Sequence, residues 1–147
     1  MKKRRNSQLG SQDSRYRALA EFRYHIREYL HFGDQAAKLA GLEPKQYQLL
    51  LAVKGLPDDV SPTVSVLAHH LRTRHHSTVE LVNRAERNGL VTRSRNGNFV
   101  LVQLTKKGER ILERAVDKRM RQLRIAGPIL VKALQQLINS DESKSRT

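Results

Sequence analysis

Between residues 63 and 105 the chain sets out its local signals in an order that few folds accommodate. A short apolar-periodic stretch (Val64, Leu67, Ala68, Leu71) runs into a basic turn, Arg72-Thr73-Arg74. A second periodic stretch, 75–88, follows and is stopped by Gly89. Asn96-Gly97 then stands between two strand-like runs before helical periodicity resumes at Thr105. Helix, turn, helix and two-stranded wing is the arrangement that lays one helix in a DNA major groove with a β-ribbon beside it. From His69 to Arg110 there are nine Lys/Arg against three Glu, so a polyanionic partner has electrostatic support at that place.

The flanking segments read as helices. Ser14 caps a long amphipathic helix in which Leu19, Phe22, Ile26, Tyr29 and Leu30 recur three and four residues apart, and Gly41 ends it. Pro44 suits the first turn of a second helix carrying Tyr47, Leu50 and Leu51, which stops near Gly55-Leu56-Pro57. Thr63 is the expected N-cap of the third. After Thr105 a helix with Ile111, Leu112, Ala115, Val116 and Leu123 runs to about residue 126. Gly127-Pro128 is expected to break or kink it before a last helix with Leu130, Leu134, Leu137 and Ile138 on one side.

These readings predict a mainly α fold with a small β-wing, a winged helix-turn-helix with terminal dimerisation helices. One domain is expected over 14–140, its DNA-binding lobe at 61–105 and its dimerisation helices at 14–40 and 106–140. Residues 1–13, polar and basic, are expected to be a disordered arm, and 141–147 a flexible tail. A winged module of about 45 residues cannot bury two further apolar stripes. Leu19, Phe22, Ile26 and Leu30, with Leu130, Leu134, Leu137 and Ile138, are therefore expected to pack on each other and on a second copy in a two-fold dimer.

Composition narrows the function. Lys+Arg number 28 against 14 Asp+Glu, a net charge of +14, which implies an acidic partner, nucleic acid before anionic membrane. The absence of Cys excludes thiol redox sensing, Cys-ligated zinc and a cysteine nucleophile. Lys2-Lys3-Arg4-Arg5 is followed by Asn6-Ser7-Gln8 rather than an apolar core, and no run approaches a membrane span, so a soluble cytoplasmic protein is expected. No Ser-His-Asp spacing, phosphate-binding Gly loop or clustered carboxylate pair suggests catalysis, and no cofactor is expected. His69-His70 and His75-His76 invite a metal reading. Adjacent helical residues diverge by about 100°, however, and no Asp, Glu or Cys lies between the pairs, so surface position or DNA contact is expected instead.

Winding 75–88 at about 100° per residue puts Thr78, Leu81, Val82 and Ala85 on one side and His76, Glu80, Asn83 and Arg87 on the other, with Val79 and Arg84 flanking. His75 and Ser77 fall in the exposed first turn. The outer face is hydrogen-bonding without being uniformly basic, which suits reading base edges. Arg84 fits guanine O6 and N7, Asn83 fits adenine N6 and N7, and Val79 fits a thymine methyl. Glu80 either accepts from cytosine N4 or orients Arg84 four residues on. In the wing, Arg93 and Arg95 are expected at the DNA backbone or minor groove, and Asn96-Gly97 at the tip.

Four motif blocks carry a family resemblance: Val66-Leu67-Ala68-His69-His70-Leu71; His75-His76-Ser77-Thr78-Val79-Glu80-Leu81-Val82-Asn83-Arg84; Glu86-Arg87-Asn88-Gly89-Leu90-Val91; and Val100-Leu101-Val102-Gln103-Leu104-Thr105-Lys106-Lys107-Gly108. In order and spacing they resemble the MarR family of bacterial transcription regulators, over roughly residues 14–140. The resemblance implies a homodimer whose first and last helices form its body. It further implies a palindromic operator in double-stranded DNA, a repressor role, and release by a small-molecule effector. By position it puts the recognition helix at 75–88 and the wing at 93–99. Arg74, His75, His76, Ser77, Val79, Glu80, Asn83, Arg84, Arg87, Arg93 and Arg95 are the expected DNA contacts.

The chain departs from the family pattern in three places. Its wing is about three residues shorter, with Asn96-Gly97-Asn98 where an Asp-x-Arg motif is usual and Arg95 as the substitute arginine. Arg74 stands where a capping Ser or Asp is common, leaving Thr73 as the alternative cap. Ala85 replaces a common Leu. The rival readings are a non-specific architectural nucleic-acid-binding protein and a protein-interaction adaptor on the same fold.

Overall fold

The computed structural model describes the backbone over residues 2–142 and side chains over 12–140. The elements run α1 (Lys2–Leu39), α2 (Pro44–Gly55), α3 (Val64–Leu71), α4 (His75–Arg87), β1 (Val91–Asn96), β2 (Phe99–Leu104) and α5 (Lys106–Glu142). The fold is mainly helical with one antiparallel two-stranded sheet, as the periodicities predict. The chain divides into two compact units, Met1–Phe32 with Met120–Thr147, and Gly33–Arg119.

In the Gly33–Arg119 unit the core joins Ala37, Leu42, Leu49, Leu50, Leu67, Leu81, Val82, Ala85, Leu90, Val91, Val102, Leu112 and Ala115. The unit that carries the wing is thus larger than the 61–105 segment. Leu49 and Leu50 of α2 and Leu112 and Ala115 of α5 supply the apolar surface that α3, α4 and the hairpin cannot provide for one another.

Local chemistry explains the joints. The Thr63 hydroxyl accepts from the Val66 N–H at 3.3 Å and caps α3. α3 ends with Arg72 in the left-handed region (φ 53), and the Thr73 N–H reaches back to the Ala68 carbonyl at 3.0 Å. α4 ends in the same way on Gly89 (φ 70), with the Leu90 N–H on the Ala85 carbonyl at 2.9 Å and the Gly89 N–H on that of Glu86 at 3.0 Å.

Three expectations are corrected. Residues 2–13 are helical, not a disordered arm: α1 begins at Lys2. Adding a residue to an existing helix needs no new nucleus, and Lys, Arg and Gln are good helix formers, so the helix extends past Ser14. Of the break or kink expected at Gly127-Pro128, the break is overturned, since Pro128 lies inside a continuous α5. A proline deletes one backbone bond, and continuing costs less than restarting a helix beyond it. The hairpin turns on Gly97-Asn98 rather than Asn96-Gly97. Asn96 pairs with Phe99 in the ladder, and Gly97 carries the positive φ (62). That is a two-residue turn with glycine at its first central position, so Asn96 remains in the strand. Of the expected flexible tail, 141–142 end α5 and 143–147 lie outside the described residues.

In the unit formed by the chain ends, Tyr16, Leu19 and Leu137, with Gln12, Arg15 and Ser140, line a groove of about 320 Å³. Ala133 is buried there, while Leu19, Leu30, Leu134 and Ile138 remain 44–56% exposed. Phe22, Ile26, Leu130 and Leu137 are half-buried. Among the described residues, no helix is long and apolar enough to cross a membrane.

Candidate nucleic-acid interface

α4 is amphipathic in the sense its period predicts. Thr78, Leu81, Val82 and Ala85 are buried, whereas His76, Glu80 and Arg87 are exposed. Thr78 is a polar side chain with no exposed surface, and its hydroxyl is satisfied twice. It donates to the Arg74 carbonyl at 3.0 Å and shares a hydrogen bond with the Thr73 hydroxyl at 2.7 Å. Thr73 is therefore spent on Thr78 and is not the cap. Arg74 occupies the N-cap position without a side-chain cap bond. His75, His76 and Ser77 stand exposed in the first turn, and the α4 N-terminus keeps backbone N–H groups suited to an anion.

The outer face has two flanks, and each is tied to another element. On one flank Arg84 donates to Glu43, the residue before α2, at 3.2 Å. Arg84 is thus oriented by Glu43 and not by Glu80, the partner that helical spacing suggests. On the other flank Arg93 of β1 donates to the Asn83 carbonyl oxygen and lies 3.9 Å from Glu86. Arg93 is turned onto the helix and is not splayed toward the wing tip. Glu80, Asn83, Arg84 and Arg87 line one shallow concavity on this face. Val79 is half-buried.

The wing is held to the core at its base. Val91 and Val102 are buried, and Leu101 bridges to Thr63. Arg95 sits opposite Val100, near the turn, and is exposed. Phe99, beside the turn, is 65% exposed. At the wing's foot the Thr105 N–H donates to the Leu90 carbonyl at 3.0 Å, and the Thr105 hydroxyl both donates to the Gly89 carbonyl and accepts from the Gly108 N–H. Among the described residues no group of three or more His, Asp or Glu side chains is placed to hold a metal ion.

The structure brings Asn83, Arg84, Arg87, Glu80 and Arg93 together on or beside one face, with Arg74, His75, His76 and Ser77 at its N-terminal end and Arg95 out on the wing. Glu43 was not foreseen. It lies 41 residues from Arg84, and no local signal pairs them.

Residues 40–98 match the model of the MarR family. The fold matches a MarR family protein from Bacillus stearothermophilus with 25% sequence identity and a TM-score of 0.65, covering 100% of this chain and 99% of that one. It also matches MepR, a transcription regulator of the Staphylococcus aureus multidrug efflux pump MepA, with 18% identity and a TM-score of 0.66 over 84% of this chain and 92% of that one. A mutant S. aureus MepR bound to an oligodeoxyribonucleotide matches with 17% identity and a TM-score of 0.60, over 84% and 91%. No curated protein sequence matches the chain.

Proposed function

Starting from a chain that is MarR-like in sequence over residues 40–98 and in fold along its length, we propose that it is a dimeric, sequence-specific DNA-binding repressor acting on a palindromic operator. MepR, matched in fold, is a transcription regulator, which supports the same class of role here. The reading rests on α4. Its buried stripe of Thr78, Leu81, Val82 and Ala85 anchors it, and the opposite side offers His76, Glu80, Asn83 and Arg87 to the outside. Such a face has the mixture of donors and acceptors that base edges require. The net charge of +14 supplies attraction to any duplex, and the face supplies discrimination. The matched S. aureus MepR mutant is bound to an oligodeoxyribonucleotide, which supports the same class of partner for this fold.

Dimerisation follows from Leu19, Leu30, Leu134 and Ile138, whose exposure in the single chain is relieved by a second copy. Two recognition helices then meet two half-sites about 10 base pairs apart, centre to centre. Selection from random duplexes by the full chain tests the proposal. Enrichment of a palindrome with that spacing is the expected result. Uniform retention of all duplexes would replace it with the architectural reading, and no retention with the adaptor reading.

A further inference from the structure

The wing arginine nearest the recognition helix has a partner that its expected role does not require. Arg93 lies on the face of the hairpin that also carries Val91, since residues 91 and 93 are two apart in β1. Val91 is buried in the core, so this face looks inward at its base, and Arg93 reaches along it to α4. There its guanidinium donates to the Asn83 side chain and approaches Glu86 at 3.9 Å. Asn83 and Glu86 are three residues apart and so neighbours on the helix surface. A guanidinium has donors only, which settles the amide's orientation: the Asn83 oxygen faces Arg93, and its NH2 is turned away. Arg93 is also the less exposed partner of its ion pair, at 31% against 43% for Glu86.

From this we infer that Arg93 is a positioning residue for sequence recognition, acting through Asn83, and not a backbone contact of the wing. The inference rests on the DNA-binding reading above and deepens it. A free asparagine amide can rotate and offer either its oxygen or its NH2 to a base edge. An amide held at its oxygen by Arg93 presents one arrangement, so preference at the base pair it meets depends on a residue in the next element. Glu86 offsets the Arg93 charge and holds the planar fork over α4. Arg95, opposite Val100 and exposed, is the wing cation left to meet phosphate.

Arginine and lysine separate the two roles. Lysine keeps the charge but not the planar fork that reaches Asn83 and Glu86 together. The test uses the full chain, the operator enriched by selection, and that operator with each base pair substituted in turn, with affinities read by fluorescence anisotropy across a salt series. Asn83→Ala identifies the base pair concerned as the position, symmetric in both half-sites, where a preference on the order of tenfold is lost. Arg93→Lys is expected to erase the preference at that same position while leaving the salt dependence unchanged. Added to Asn83→Ala it should have no further effect there.

Three results would overturn the inference. Arg93→Lys retaining the preference would make Arg93 a charge contact. Equal weakening of every duplex with the preference intact would make its role one of lobe stability. Loss of preference at a different base pair, or additive losses in the double variant, would uncouple it from Asn83. A wild-type chain without any base preference would overturn the DNA reading and this inference together, whereas the first three results overturn this inference alone.

Discussion

Gly108 shows how one residue type can be required by a contact far along the chain. A Cβ there would lie 2.1 Å from the Leu90 carbonyl oxygen, which is backbone and cannot swing aside. That approach lets Thr105 bind both the Gly89 carbonyl and the Gly108 N–H, tying the wing's foot to the end of α4. Gly108→Ala is expected to destabilise the protein by roughly 1–3 kcal/mol through overpacking, read as a lower urea midpoint with an unchanged slope. Arg72 is the opposite case. It is the non-glycine residue with positive φ among the described residues, closing α3 where glycine is relaxed. Arg72→Gly should raise stability by about 1 kcal/mol, seen as a higher melting temperature, because left-handed backbone costs an L side chain about that much. A melting temperature that falls would mean the Arg72 side chain makes contacts worth more than the backbone strain.

At the scale of elements, the proposed function divides the work of binding between α4 and the wing. Arg84 stands on a flank of α4 with Glu43 as its neighbour at 3.2 Å, a pair exposed at both ends and weak by itself. DNA can therefore draw the guanidinium from Glu43 at small cost. Arg84→Ala is expected to lose roughly 1–3 kcal/mol on the preferred operator and much less on scrambled duplex at the same salt. An equal loss on both would make Arg84 a phosphate contact. Arg95 lies near the turn, opposite Val100, and is exposed. Arg95→Ala should weaken all duplexes alike and reduce the salt slope by about one unit, as expected for one lost phosphate contact. An unchanged slope would remove the wing tip from the interface.

The molecule as a whole combines a large positive charge with apolar surface at the chain ends. Ile125, Ile129 and Val131 of α5 are at least half exposed, as are Leu19, Tyr24 and Leu30 of α1. Isolated exposed side chains of this kind are ordinary, but stripes of them along two helices call for a partner. Leu134 is 44% exposed in the single chain, so a charge there costs the monomer little and a two-fold interface much. Leu134→Asp is expected to shift the protein from dimer to monomer in sedimentation at micromolar concentration, with helical content by circular dichroism preserved. Operator affinity should fall with it, since half-sites bound by separate monomers lose the gain from linkage. A Leu134→Asp chain that remains dimeric would move the interface elsewhere.

What could be read from the sequence alone was whatever depends on near neighbours. The α4 stripe of Thr78, Leu81, Val82 and Ala85 follows from helical period, the α3 cap at Thr63 from one hydroxyl and one N–H, and the hairpin from glycine between two β-prone runs. Even there the turn fell one residue late, because cross-strand pairing of Asn96 with Phe99 sets the register, and that is not a local quantity. The long helices likewise outran their local stop signals, since propagation is cheap once a helix exists. The partners of the candidate recognition residues were decided by tertiary structure. Glu43 reaches Arg84 across 41 residues, Leu90 meets Gly108 from the far side of the hairpin, and Arg93 folds back on Asn83 because the buried base of the wing turns that strand face toward α4. A sequence names the side chains able to make such contacts, but only the path of the chain through the core brings each donor to its acceptor.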